Sequence, residues 1–254
     1  MNKSRNLVLR FSFLIIVSLL FIECKPSVYT KTTQTSIALD STYSNQKKIE
    51  ELVIPYKTDL EKEMNEVLVI SNDEFTREKG KPETKLGNLV ADLSMEVAQK
   101  MYNGNIDFCM LNFGGLRTSL PKGEITRGKV FELMPFENEL VVVTLSKEQF
   151  DTLISYIKNV GGQPIAGIKI NFSTTPTQVK IKNRKNDKSL NTTYKVLTSD
   201  YLANGGDNMK FFLNPINYEK VGIKLRDAII QYCVEQHAQG KQLTGKIEGR
   251  IIYE

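Results

Sequence analysis

Apolar residues between Lys47 and Glu66 recur at every third or fourth position, as Ile49, Leu52, Val53, Tyr56, Leu60 and Met64. This spacing predicts a helix with one face on the core, kinked or split at Pro55 because proline lacks the amide donor. Val67 to Ser71 is a short β-like run. Leu86 to Met101 then places Leu86, Leu89, Val90, Leu93, Val97 and Met101 on one helical face, closed by Asn103-Gly104. Ile106 to Leu111 reads as a buried strand. Lys122-Gly123 makes a turn, Thr126 caps a short helix reaching Met134, and Leu140 to Leu145 is a Val-rich strand. Ser146-Lys147-Glu148-Gln149 has the form of a capping box, with a helix behind it to about Asn159 that Gly161-Gly162 stops. Further strands are expected at Gly167 to Phe172, Val179 to Lys182 and Tyr194 to Thr198, with Arg184 to Lys188 as a hairpin tip. Leu225 to Gln239 reads as a helix turning Ala228, Ile229, Tyr232 and Cys233 inward, closed by Gly240. Gly249 to Tyr253 is a last strand. Helices and strands alternate irregularly and nothing repeats, so the fold class is mixed α/β (α+β), one domain with a mixed sheet flanked by helices.

The first 46 residues break this pattern. Lys3, Arg5 and Arg10 precede the apolar run Phe11 to Ile22, which is shorter than the ~20 residues of a membrane span and suits an export signal. Cys24 ends the run and Lys25-Pro26-Ser27 follows. The arrangement resembles a bacterial lipoprotein signal, in which residues 1–23 are removed and Cys24 is lipidated as the mature N-terminus. Glu23 and Phe21 stand where such signals carry a small residue and Leu, and an uncleaved anchor or conventional cleavage is the competing reading. Residues 25–46 are rich in Ser, Thr and Lys and read as a tether, leaving 47–254 as the folded domain. The expected location is outside the cytoplasm, anchored to a bacterial membrane and facing the periplasm or cell surface.

Across 254 residues, 41% apolar and 25% charged is an ordinary globular composition. The net charge of +5 is partly spent on the N-terminal segment, and the remainder is too small to argue for a nucleic-acid surface. Cys109 and Cys233 lie in apolar surroundings and read as free, buried thiols, although two cysteines in an exported chain are able to pair.

Two blocks place polar side chains beside a glycine pair: Leu111-Asn112-Phe113-Gly114-Gly115-Leu116-Arg117 and Tyr201-Leu202-Ala203-Asn204-Gly205-Gly206-Asp207. Glycines let a ligand approach the backbone closely. Between the blocks, Leu133-Met134-Pro135-Phe136 presents an aromatic ring at a proline turn. Two rings, an arginine, asparagines and an aspartate suit a flat base, a diol and a phosphate together. Taken singly, Phe136 also reads as a core ring, Arg117 as a brace of its own loop and Asp207 as a turn former. Asn88 and Asp92 read as loop braces.

Catalysis by this chain alone is not expected. Its one histidine, His237, lies on the late helix far from the glycine motifs, where it reads as a surface or helix-end residue. A dinuclear metal site needs several histidines and aspartates to hold ions about 4 Å apart. There is no CxxC, no GxxxxGK[ST] loop and no GxGxxG after a strand. No catalytic residue, metal ligand or bound cofactor is assigned.

Leu86-Gly87-Asn88-Leu89-Val90-Ala91-Asp92, the two glycine blocks, Lys122-Gly123-Glu124-Ile125-Thr126 and Leu133-Met134-Pro135-Phe136 occur in the order seen in the 5′-nucleotidase C-terminal domain, which the chain resembles from about residue 50 to 254. The resemblance implies that Phe136 and Tyr201 sandwich the base, Asp207 accepts from the ribose hydroxyls, Arg117 meets the phosphate or ribose side, and Asn112 the base or sugar edge. Gly114, Gly115 and Asn204 complete the substrate-binding set. Tyr201 replaces the family's usual Phe and keeps its π-face. Phe113 replaces a glycine common in the family and would crowd a ligand. The family also carries an arginine shortly before the Gly-Asn-Leu helix, in the region that here reads Arg77-Glu78-Lys79-Gly80-Lys81.

In full-length 5′-nucleotidases a separate N-terminal domain holds two metals and the catalytic histidine. The resemblance therefore implies the nucleotide-recognition part of a split enzyme, with divalent metals held by a separate metallophosphoesterase polypeptide. Two alternatives are a stand-alone lipoprotein that binds nucleotides or nucleosides without catalysis, and a fold kept for protein contacts whose pocket Phe113 closes.

Overall fold

The computed structural model describes residues 33–36, 47–78, 80–182, 184 and 192–253. The signal segment, Cys24, most of the tether, and Lys185 to Lys188 of the expected hairpin tip lie outside the described residues. The chain divides into two units, Met1–Glu50 and Glu51–Glu254. In the first, residues 33–36 are exposed and without regular structure.

Helix α1 (Lys47–Met64) runs unbroken through Pro55, where a kink or split is expected. Loss of one backbone bond does not end a helix whose flanking turns keep theirs. Its apolar stripe also departs from expectation: no residue of the helix is buried, and Leu52, Tyr56 and Leu60 are 68%, 75% and 56% exposed. After it come β1 (Val67–Ser71), α2 (Lys85–Met101) and β2 (Phe108–Met110). The Thr84 hydroxyl caps α2 by accepting from the Gly87 amide at 2.9 Å. β3 (Gly123–Thr126), unexpected from the pattern, pairs antiparallel with β1. Thr126 then caps α3 (Arg127–Leu133) through the Lys129 amide.

β4 (Glu139–Leu145) leads into α4 (Lys147–Val160) through the expected capping box: Ser146 Oγ accepts from the Gln149 amide at 3.2 Å, and Gln149 Oε1 from the Ser146 amide at 3.0 Å. Gly161 closes α4 in the left-handed region at φ 81°. β5 (Ile165–Ala166), β6 (Ile168–Asn171), β7 (Gln178–Ile181) and β8 (Tyr194–Ser199) follow, then the one-turn helix α5 (Asp200–Ala203). β9 (Asn217–Lys224) was not expected; α6 (Leu225–Ala238) and β10 (Ile251–Ile252) were, at slightly shorter lengths.

Among the described residues the strands form three sheets: β1-β3, β10-β6-β7, and a five-stranded mixed sheet in the order β5-β2-β8-β4-β9. The large sheet is the centre of the domain. Cys109, Leu140, Val142 and Leu197 face a cluster built with α2 and α6, while Phe108, Val141, Val143 and Val196 face a second cluster with α4. The alternation along β4 is the period-two pattern of a strand covered on both faces, which is why Leu140–Leu145 reads as nearly continuous apolar sequence.

Both described cysteines are free and buried. Burial raises the Cys109 thiol well above its ordinary range and pushes Cys233 up to about 12, so neither supplies a thiolate near neutrality.

Candidate functional site

Strand direction brings the three sequence blocks to one end of the large sheet. β2 and β8 run parallel, so both finish there, and β4 runs against β8 with Leu140 opposite Ser199, so it begins there. The loop after β2 carries Asn112 to Arg117, the turn before β4 carries Phe136, and the segment after β8 carries Tyr201 to Asp207. In open α/β sheets the space beyond the carboxyl ends of parallel strands is the usual ligand position.

Asp207 ties two of these loops together. Its Oδ2 accepts from Asn112 Nδ2 at 2.6 Å, although the residues are 95 positions apart. Its Oδ1 accepts from the Tyr201 hydroxyl at 2.9 Å, its amide donates back to that hydroxyl at 3.3 Å, and its carbonyl accepts from the Tyr156 hydroxyl at 2.8 Å. The backbone is left-handed at Asp207 (φ 51°, ψ 31°) and at Asn208 (φ 60°). Two such non-glycine residues in succession are unfavourable, and the hydrogen bonds hold them there. A carboxylate offers about four acceptor positions. Among the described residues two are used, both by neutral donors.

The glycines allow the close packing. A Cβ on Gly114 would lie 3.1 Å from Asp207 Oδ2, one on Gly115 2.9 Å from Asn112 Oδ1, and one on Gly206 2.5 Å from the Tyr201 ring. Arg117 donates to the Gly114 carbonyl at 3.3 Å, and its guanidinium lies 5.8 Å from the centre of the Phe136 ring. Phe136 and Tyr201 are 41% and 45% exposed. Asn204 turns back instead: its amide donates to the Asp200 carbonyl at 2.8 Å, closing α5.

The Phe136 turn is fastened from both sides. Glu137 is held by Lys224 and Arg226, which lower its carboxyl to about 2. Asn138 donates to Asp200 Oδ1 at 3.0 Å, linking this turn to the Tyr201 segment. Lys224, Arg226, Tyr156 and Gln163 were not singled out from the sequence; Gln163 Oε1 accepts from the Phe113 amide at 3.0 Å. The Asn88 amide donates to Glu83 and to the Lys246 carbonyl, and Asp92 binds Arg250, so both brace the domain as expected. His237 is exposed in the last turn of α6. Among the described residues no three His, Cys, Asp or Glu side chains are grouped to hold a metal ion.

A family model for the 5′-nucleotidase C-terminal domain matches residues 65–214. The chain belongs to this family. All five sequence blocks fall inside the matched span. The chain is 31% identical over 217 residues to the trifunctional nucleotide phosphoesterase protein YfkN of Bacillus subtilis, covering 77% of this chain and 14% of that one. It is 28% identical over 221 residues to the cell wall protein Lmo0130 of Listeria monocytogenes, covering 78% and 28%. Its structure matches the 5′-nucleotidase precursor of Thermus thermophilus with a TM-score of 0.64 at 26% identity, over 80% of this chain and 42% of that one. The chain thus spans less than half the length of each.

In this 5′-nucleotidase C-terminal domain Phe113 is part of the packing. Its ring is partly buried against the α2 side of the core, and its edge would lie 3.0 Å from a Cβ on Gly87. Arg77 donates from Nε to the Leu116 carbonyl at 2.6 Å, and with Thr84, Phe113 and Gly114 it lines a cleft of about 270 Å³. The arginine stretch before the Gly-Asn-Leu helix therefore meets the Gly114 loop.

Proposed function

We propose that this chain is the nucleotide-recognition part of a split 5′-nucleotidase acting in nucleotide breakdown outside the cytoplasm. A base stacks between Phe136 and Tyr201, the ribose hydroxyls donate to the two open positions on Asp207, Arg117 faces the phosphate or ribose side, and Asn112 the base or sugar edge. Gly114 and Gly115 leave room for the ligand, and Asn204 fixes the turn that aims Tyr201. The chain supplies binding and orientation. Divalent metals and a catalytic histidine come from a separate metallophosphoesterase polypeptide. Cys24 carries the lipid that holds the domain at the membrane, and residues 25–46 tether it.

The observation that supports this reading is the Asn112–Asp207–Tyr201 knot: a carboxylate with acceptor capacity to spare, oriented by left-handed backbone and bonded to one exposed ring, at the end of the sheet where the exposed Phe136 ring also lies. Stacking contributes about 1–3 kcal/mol per ring, and fixing a reactant in place lowers a phosphoryl-transfer barrier by several kcal/mol.

The test is phosphate release from AMP by the purified chain, alone and with a metallophosphoesterase from the same source, beside calorimetry of AMP and adenosine. Release only in the mixture is expected. Divalent-dependent hydrolysis by the chain alone overturns the split. Tight binding with no hydrolysis in any mixture gives the stand-alone binding lipoprotein, and absence of binding leaves a fold kept for protein contacts.

A further inference from the structure

Away from the candidate site, the β6–β7 hairpin and helix α2 enclose a groove of about 970 Å³. That is the size of a small-molecule site. Its floor includes Met95 and Ala166, and Lys169, Lys180 and Lys182 line it from the hairpin. Lys169 and Lys180 are direct partners in the antiparallel ladder. Directly opposed side chains leave the sheet about 5 Å apart, and like charges there are destabilising. Lys182, in the turn just after β7, lines the same groove.

Other cations lining the groove are matched. Lys100 binds Glu96 and Glu235, and Arg250 binds Asp92 and Glu248. Among the described residues the three hairpin lysines form no ion pair; Lys169 Nζ donates only to the Glu248 carbonyl at 2.9 Å. Three positive charges therefore line one side of the groove, Lys169 within reach of the Glu248 carboxylate, while the nearby carboxylates are already paired with Lys100 and Arg250.

We propose that this groove is a second anion site that takes a short linear polyphosphate. Lysine ammoniums act as point charges on flexible stems, and three together can each meet one of several successive phosphate groups. The apolar floor strengthens the attraction by keeping water from one side. A bound anion also removes the repulsion between Lys169 and Lys180, so ligand binding raises the stability of the hairpin.

The experiment uses the full chain with sodium tripolyphosphate as probe, read by calorimetry and by thermal melting at low and high salt, with sodium sulfate at matched ionic strength as control. Tripolyphosphate is expected to bind at low salt and to raise the melting temperature beyond the sulfate control. Lys180→Glu is expected to weaken that binding at least tenfold while AMP binding persists. Its melting temperature without ligand should be unchanged or higher, since a Lys–Glu pair then replaces two opposed lysines. Lys169→Gln should weaken the probe by a smaller factor. Equal binding by Lys180→Glu, an equal response to sulfate, or no response at low salt overturns the proposal. Because Lys180 lies outside the nucleotide residues, failure here leaves the nucleotide reading standing, and loss of AMP binding in wild type leaves this one standing.

Discussion

Asp92 and Asp207 each anchor a polar cluster, yet the clusters differ in what they leave available. Asp92 meets a buried guanidinium: Arg250 binds it through both terminal nitrogens at 2.8 and 2.6 Å, and also binds Glu248 and the Ile165 carbonyl. The charge is neutralised on the spot and its geometry is spent on holding α2 beside the segment entering β10. Asp207 meets a tyrosine hydroxyl and an asparagine amide, which orient it without cancelling its charge. A charged partner makes a brace, whereas neutral partners leave a carboxylate able to receive a ligand.

The largest expected effect separates the two clusters. Arg250→Met should lower unfolding free energy by about 2–3 kcal/mol, below the usual loss for a wholly buried pair because the abandoned carboxylates of Asp92 and Glu248 are about half exposed. Urea unfolding measures it, and AMP affinity of the folded protein should stay unchanged. Equal stability would mean that Asp92 is no more a brace than Asp207. Phe136→Ala should then cost about 2 kcal/mol of AMP affinity, roughly thirtyfold, with little change in the urea midpoint. Asp207→Asn keeps the size of the side chain but removes its charge and replaces one acceptor oxygen by a donor, and should weaken AMP and adenosine about tenfold by calorimetry. If affinity holds, the spare capacity of Asp207 is not what the ligand uses.

Gly206→Ala should push the Tyr201 ring off Asp207 and lower AMP affinity about threefold to tenfold, roughly the worth of one hydrogen bond; a Tyr201→Phe variant reads the hydroxyl alone. The smallest effect is at Glu137, whose carboxyl Lys224 and Arg226 lower from 4.5 to about 2. A depressed carboxyl contributes stability above its unfolded value, and loses that contribution as pH falls from about 4.5 toward 2. Glu137→Gln should lower stability slightly at neutral pH and leave it unchanged near pH 2, flattening the acid limb of the stability curve in that window, as followed by circular dichroism.

Local signals were legible where a residue acts on its own neighbours. The Ser146–Gln149 box, the Thr126 cap and the glycine stop after α4 are all short-range devices, and each appears where the pattern puts it. β9 escaped notice because it is an edge strand with mostly exposed residues and a left-handed Gly222 in its middle, so neither alternation nor apolar content marks it. The stripe on α1 shows the opposite limit: periodicity reveals an apolar face and says nothing of what covers it. At the candidate site the glycine blocks drew attention to Asn112, Arg117, Tyr201 and Asp207. Tyr156 and Gln163 came from α4 and the loop after it, where only strand order brings them alongside. Phe113 reads as an obstruction in one dimension; in three its ring also packs beside Gly87.

The outer rim of the large sheet carries a last consequence. β9 is eight residues long and, among the described residues, borders no further strand on its outer side, a natural template for recruiting another extended chain. Its pairing with β4 slips between Glu139 and Val141, Gly222 bends it at φ 87°, and Lys220 and Lys224 place charge along it. A rim that is bent and charged is a poor seed for fibrils.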